Sequence, residues 1–192
     1  MCGGFVVFET IENGLIEGAT FCPSPNCNSR PASVTIDLLV IHNISLPPGQ
    51  YCNGFIRQFF TNQLNPNDHP YFLEISNLKV SAHLLIGRKG DVVQFVRFDQ
   101  RAWHAGESAF LEQQNCNDFS IGIELEGTDH QPYESVQYQR LAKITQTLIK
   151  YYPGITMERI VGHSDIAPAR KTDPGPAFDW KYFKRLLTKN GQ

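Results

Sequence analysis

Two apolar runs in this chain end on a histidine: Leu38-Leu39-Val40-Ile41 stops at His42, and Ile160-Val161-Gly162 stops at His163. Uninterrupted runs of this kind predict buried strands over about 34–42 and 160–162, each delivering a histidine at its end. Between them, 80–86 and 92–96 flank Arg88-Lys89-Gly90-Asp91, the pattern of a β-hairpin closed by a glycine turn. Ser120-Ile121-Gly122-Ile123-Glu124-Leu125-Glu126 alternates apolar with small or acidic residues and predicts a strand with two unlike faces. The period then lengthens. Leu141, Ile144, Leu148 and Ile149 fall on one helical stripe within 135–152, and Pro153-Gly154 stops it. A short helix is expected near 55–62, and a last one over 178–187 turns Trp180, Phe183 and Leu187 inward. Strands interleaved with helices around a tight hairpin predict an α/β fold, a central mixed sheet flanked by helices.

Composition narrows this picture. With 192 residues, 41% hydrophobic and 19% charged, the chain suits one domain with one full core, taken as 1–192. A net charge of −2 removes any bulk electrostatic case for nucleic acid or an anionic membrane as partner. No segment approaches the ~20 apolar residues of a membrane span, and Met1-Cys2-Gly3-Gly4-Phe5-Val6-Val7-Phe8 lacks the basic start of a signal peptide. Five cysteines is an odd number, and Cys22, Cys27, Cys52 and Cys116 match no zinc-finger spacing. They read as free thiols, and a cytoplasmic location follows as the expectation. Without heptads or an exposed apolar stripe, a monomer is the default.

The chemistry concentrates in Gly162-His163-Ser164-Asp165-Ile166-Ala167-Pro168-Ala169-Arg170-Lys171-Thr172-Asp173-Pro174-Gly175-Pro176. Its prolines and glycines predict a loop of fixed shape, not a helix. His163 and Asp173 both suit zinc, and a catalytic zinc takes three protein ligands. His42, closing its strand, offers the third. A histidine ending a buried strand can equally be a satisfied core residue, and Asp173 can merely start a turn. Spacing alone therefore leaves one zinc ion and separate structural roles both open. Glu124 shares its strand face with Gly122, expected to leave open space, and with Glu126. A carboxylate there suits a general base acting on water at the metal; the alternative is a solvated strand carboxylate, the expectation for Glu126. Lys171 can stabilise a carbonyl oxygen that becomes anionic, or be an ordinary loop lysine. Trp103-His104-Ala105-Gly106 and His83 suit the floor of a groove for sugar or peptide, and either histidine is an alternative metal ligand. His69 and His130 read as surface residues.

Taken in order, the stretches 39–49, 80–83, 102–106, 116–129 and 162–180 resemble the AmpD-type amidases, with the likeness running over about 23–187. These are cytosolic zinc-dependent N-acetylmuramoyl-L-alanine amidases, related in fold to peptidoglycan recognition proteins. The resemblance implies one Zn²⁺ held by His42, His163 and Asp173, with Glu124 and Lys171 as the catalytic pair. It implies a muropeptide substrate, cut between (1,6-anhydro)N-acetylmuramic acid and L-alanine during peptidoglycan recycling. Asn43, Lys79, His83, Trp103 and His104 are the candidate substrate-binding residues, with Lys79 suited to a peptide carboxylate. The resemblance offers no role for Met1–Phe8, and 107–115 is less basic than the family leads one to expect. Two rivals remain: a non-catalytic peptidoglycan-binding module on the same fold, and a zinc peptidase acting on ordinary peptides.

Overall fold

The longest apolar runs pair with one another in a six-stranded mixed sheet in the structure, a computed structural model that describes residues 7–189. In chain order the strands are Thr20–Phe21 (β1), Leu38–Ile44 (β2), Leu84–Ile86 (β3), Val92–Gln94 (β4), Ser120–Glu126 (β5) and Ile160–Gly162 (β6). They lie in the order β6-β2-β5-β3-β4-β1, and every neighbouring pair is parallel except the β3–β4 hairpin. Gly90 sits in that hairpin's turn at φ 79°, a conformation glycine adopts without steric cost. Residues 80–82 lie outside the sheet, contrary to the apolar pattern, because Ser81 hydrogen-bonds elsewhere: its N–H to Trp103 O and its hydroxyl to Asn26 O.

Among the described residues five α-helices flank the sheet: Phe55–Phe60 (α1), Pro70–Ile75 (α2), Ser135–Tyr151 (α3), His163–Ile166 (α4) and Trp180–Lys189 (α5). The two-residue period of the strands sorts their side chains between two covers. Leu39, Ile41, Ile121, Ile123 and Leu125 pack with Leu141, Ile144 and Leu148 of α3 and Phe183 and Leu187 of α5. On the other face Leu38 and Val40 meet Ala105, Cys116 and Phe119, while Leu85 and Val93 meet α1 and Phe72 of α2. His42 and Glu124 belong to this second face. The start of α3 is tied to the sheet by Gln137, whose side-chain amide donates to Ile86 O and Glu126 O at 3.1 and 3.0 Å.

Three findings depart from the pattern. Glu126 is buried at 5% exposure, accepting from the amides of Cys52 (2.7 Å) and Arg88 (3.1 Å), so it braces two loops instead of meeting water. In the N-terminal stretch Met1–Phe8, residues 1–6 lie outside the described residues, but Phe8 is 1% exposed and part of the main core. The Arg140 guanidinium stacks over its ring and the Thr147 hydroxyl donates to its carbonyl. Burying such a ring contributes about 1.5–3 kcal/mol, a role the resemblance did not supply. Arg30 was not singled out by pattern either. Its guanidinium donates to the carbonyls of Phe98, Asn117, Asp118 and Ser120, and burial lowers its pKa to about 10. It still carries its charge at neutral pH, and it fixes the approach to β5.

Candidate active site

Strand register builds the site. Glu124 of β5 pairs with His42 of β2, and Gly162 of β6 pairs with Ile41, which brings His163 level with His42. Glu124, His42 and His163 thus stand in one row across three parallel strands, near the carboxyl ends where open α/β sheets place their ligands. His163 opens α4, a correction to the loop expected there. One helical turn forms because Asp165 Oδ2 accepts the Gly162 N–H at 2.7 Å and the Ala167 N–H returns to His163 O at 3.0 Å. Beyond Ala167 the chain is a loop that doubles back, with Ser164 N–H donating to Asp173 O at 3.0 Å. Gly175, at φ 76°, lies so close to Asp129 that a Cβ would fall 2.3 Å from its Cα, which pins the return of this loop.

The result is a convergence of three donor atoms. His42 Nδ1 lies 2.9 Å from His163 Nδ1, and Asp173 Oδ2 lies 3.1 and 3.0 Å from them. His163 Nε2 faces Ala105 O at 3.1 Å, and a carbonyl only accepts, so Nε2 donates there and Nδ1 is the nitrogen turned to the cluster. Burial drives the His42 pKa down to about 4, partly countered by Asp173, so this ring is neutral at pH 7. Two imidazole nitrogens and a carboxylate oxygen in mutual contact fit a divalent cation. Their separations fall a few tenths of an ångström below the ~3.3 Å edge of a tetrahedron with bonds of ~2.0 Å. Among the described residues this is the group of His, Cys, Asp and Glu side chains able to hold a metal.

Glu124 stands beside the group at 8% exposure, and its Oε2 has no hydrogen-bond partner among the described residues. Burial, then the Asp173 charge, raise its pKa well above the usual carboxylate range, and Lys171 pulls it partly back. The cleft over these residues has a volume of about 850 Å³, within the range of small-molecule sites. Asn43, Lys79, Trp103, His104 and Lys171 all line it. His83 does not, which corrects its assignment to substrate. It is wholly buried, its Nδ1 accepting from Gly122 N–H at 3.0 Å and its Nε2 donating to Gln100 O at 3.1 Å. Nor is there open space beside Gly122, since a Cβ there would fall 2.4 Å from the His104 ring. Of the two surface histidines, His130 is exposed on the cleft rim, while half-buried His69 caps α2 by accepting from Tyr71 N–H.

Arg170, Asp129, Tyr71 and Leu78 also line the cleft and were not singled out beforehand. Arg170 was legible only as a neighbour of Lys171. Tyr71 and Leu78 carried no signal, because nothing in the sequence tells a cleft wall from a core helix.

Residues 32–176 match the N-acetylmuramoyl-L-alanine amidase family, and the chain belongs to it. More particularly, it is 55% identical to the 1,6-anhydro-N-acetylmuramyl-L-alanine amidase AmpD of Enterobacter cloacae over 93% of this chain and 95% of that one. The crystal structure of a selenomethionine AmpD derivative superposes with a TM-score of 0.91 at 52% identity, covering 93% of this chain and 99% of that one. The Escherichia coli amidase AmiD, in complex with anhydro-N-acetylmuramic acid-L-Ala-D-γ-Glu-L-Lys, superposes at 0.59 with 31% identity, over 83% of this chain and 60% of that one.

Proposed function

We propose that this chain hydrolyses the amide between the lactyl group of 1,6-anhydro-N-acetylmuramic acid and the L-alanine of its stem peptide. Its place would be the recycling of cell-wall fragments. The observation that carries the reading is the contact of His42 Nδ1, His163 Nδ1 and Asp173 Oδ2 beside buried Glu124 in an open cleft. His42, His163 and Asp173 would hold one zinc ion, which when bound supplies Lewis acidity and makes water at the site easier to deprotonate. Glu124 takes the proton of the attacking water as its oxygen bonds to the lactyl carbonyl carbon. The same carboxyl then gives that proton to the alanine nitrogen as the carbon–nitrogen bond breaks. A raised Glu124 pKa suits both steps, since it strengthens the base and eases delivery of the proton. Lys171 places positive charge where the carbonyl oxygen becomes anionic. A cytosolic location accords with free thiols at Cys22, Cys27, Cys52 and Cys116.

The direct test is release of free tripeptide from anhydromuramoyl-tripeptide by the purified protein, its metal-stripped form and the zinc-restored form. Release should vanish with the metal and return with zinc. Binding without cleavage by the zinc-loaded protein would leave a recognition module, and equal cleavage of ordinary peptides would leave a peptidase. Lys171→Ala should lower turnover by ~10²–10³ with zinc content unchanged. Normal turnover in that variant would remove Lys171 from the reaction.

A further inference from the structure

Segment 103–106 takes no part in the reaction just described, yet it touches both histidine ligands on the side away from their converging nitrogens. We infer that this segment is a tautomer brace: the His104 ring and the Ala105 carbonyl hold His42 and His163 with their Nδ1 lone pairs turned towards the metal position. The inference rests on the zinc reading.

The Ser120 hydroxyl donates its one hydrogen to Cys116 O, which can only accept. Towards His104 Nε2, at 3.1 Å, Ser120 Oγ must therefore accept, and the His104 proton sits on Nε2. With Nε2 spent on Ser120, His104 Nδ1 is left as the acceptor nitrogen of the ring. It lies 2.9 Å from His42 Nε2, which must then carry the His42 proton. The remaining nitrogen of His42, Nδ1, is left with a lone pair pointing at His163 Nδ1 and Asp173 Oδ2. One residue on, Ala105 O sets His163 the same way. A metal-binding imidazole commonly has its other nitrogen fixed by such a partner, which sets tautomer and ring orientation.

The brace is itself held. Asn117 Oδ1 accepts the backbone N–H groups of both His104 (3.0 Å) and Ala105 (2.8 Å), and Arg170 Nη2 donates to Ala105 O at 2.6 Å. The missing side chain at Gly122 makes room for the His104 ring against β5. If Ser120 lost its hydroxyl, His104 could move its proton to Nδ1 and donate to His42 Nε2. The His42 proton would then have to occupy Nδ1, the metal-facing atom.

The test uses the full-length protein and two readouts: zinc affinity by chelator competition, and imidazole tautomers by ¹⁵N NMR of the metal-free protein. His104→Asn keeps an acceptor oxygen near the place of Nδ1, whereas His104→Leu keeps apolar bulk and loses it. The expectation is a zinc Kd raised ~10–100-fold in His104→Leu and within about threefold of wild type in His104→Asn. A residue that only filled space would give the reverse order, since leucine is the better buried filler. Equal affinities, or the reverse order, would overturn the brace. Should His104→Leu fail to fold, Ser120→Ala decides: a raised Kd supports the inference and an unchanged one sinks it. If wild type bound no zinc, the zinc reading would fail on its own. The NMR arm would still judge the brace, because an Nδ1-protonated His42 in metal-free wild type contradicts it.

Discussion

Asp173→Ala is expected to yield protein without stoichiometric zinc and with amide hydrolysis at background. Asp173 supplies the one carboxylate oxygen of the cluster and its one donor from the loop; both remaining donors are imidazole nitrogens at the ends of strands. Without that carboxylate, two imidazoles must hold a divalent ion with no compensating charge. Metal polarisation is worth several kcal/mol in such reactions, so its loss corresponds to at least about 10³-fold in rate. The check is zinc content per chain after dialysis, with circular dichroism to show that the sheet is intact. A folded variant retaining one zinc per chain would reduce Asp173 to a turn residue.

The other large effect is expected from Glu124→Gln, which keeps shape and volume but cannot take a proton. Turnover should drop ~10²–10⁴-fold while zinc content stays at one per chain. Near-normal turnover would mean that another group moves the proton. This variant also carries a stability signature in the metal-free protein. The Glu124 pKa is raised on folding, so the neutral carboxyl favours the folded state at low pH. That contribution is lost as pH rises from the ordinary glutamate value of 4.5 through the raised one. Wild type should therefore lose unfolding free energy over that window relative to Glu124→Gln, and match its pH dependence below it. Parallel stability curves across the window would contradict the burial assigned to this carboxyl.

Much of the site was readable because its histidines terminate apolar strands, and a polar residue at the end of a buried run stands out. Asp173 and Lys171 were readable from the proline and glycine spacing around them. Register was not. Nothing local in 38–44 or 120–126 says that Glu124 lies opposite His42, because parallel pairing between distant segments leaves no short-range mark. Alternation put Glu126 correctly on the face of Glu124, but pattern carries no information about the Cys52 and Arg88 amides that close over it. Of the two histidines expected on the groove floor, His104 lines the cleft and His83 does not. Each is adjacent to small or apolar residues that suggest a groove floor, yet His83 meets the Gly122 backbone and His104 the space above that glycine. The helical turn at 163–166 was hidden by the prolines that follow it, since its stabilising acceptor, Asp165, looked like one more loop residue.

The position of β6 at the edge of the sheet has a consequence for how the chain comes into being. Glu124 can take its place beside His42 once β5 has paired with β2, but His163 lies 121 residues after His42 and follows β6, made after the other strands of this sheet. A ribosome-bound chain that ends before it therefore holds the base without the hydrolytic centre. The centre is completed only after a three-residue strand docks on an edge already formed and the loop behind it brings in Asp173.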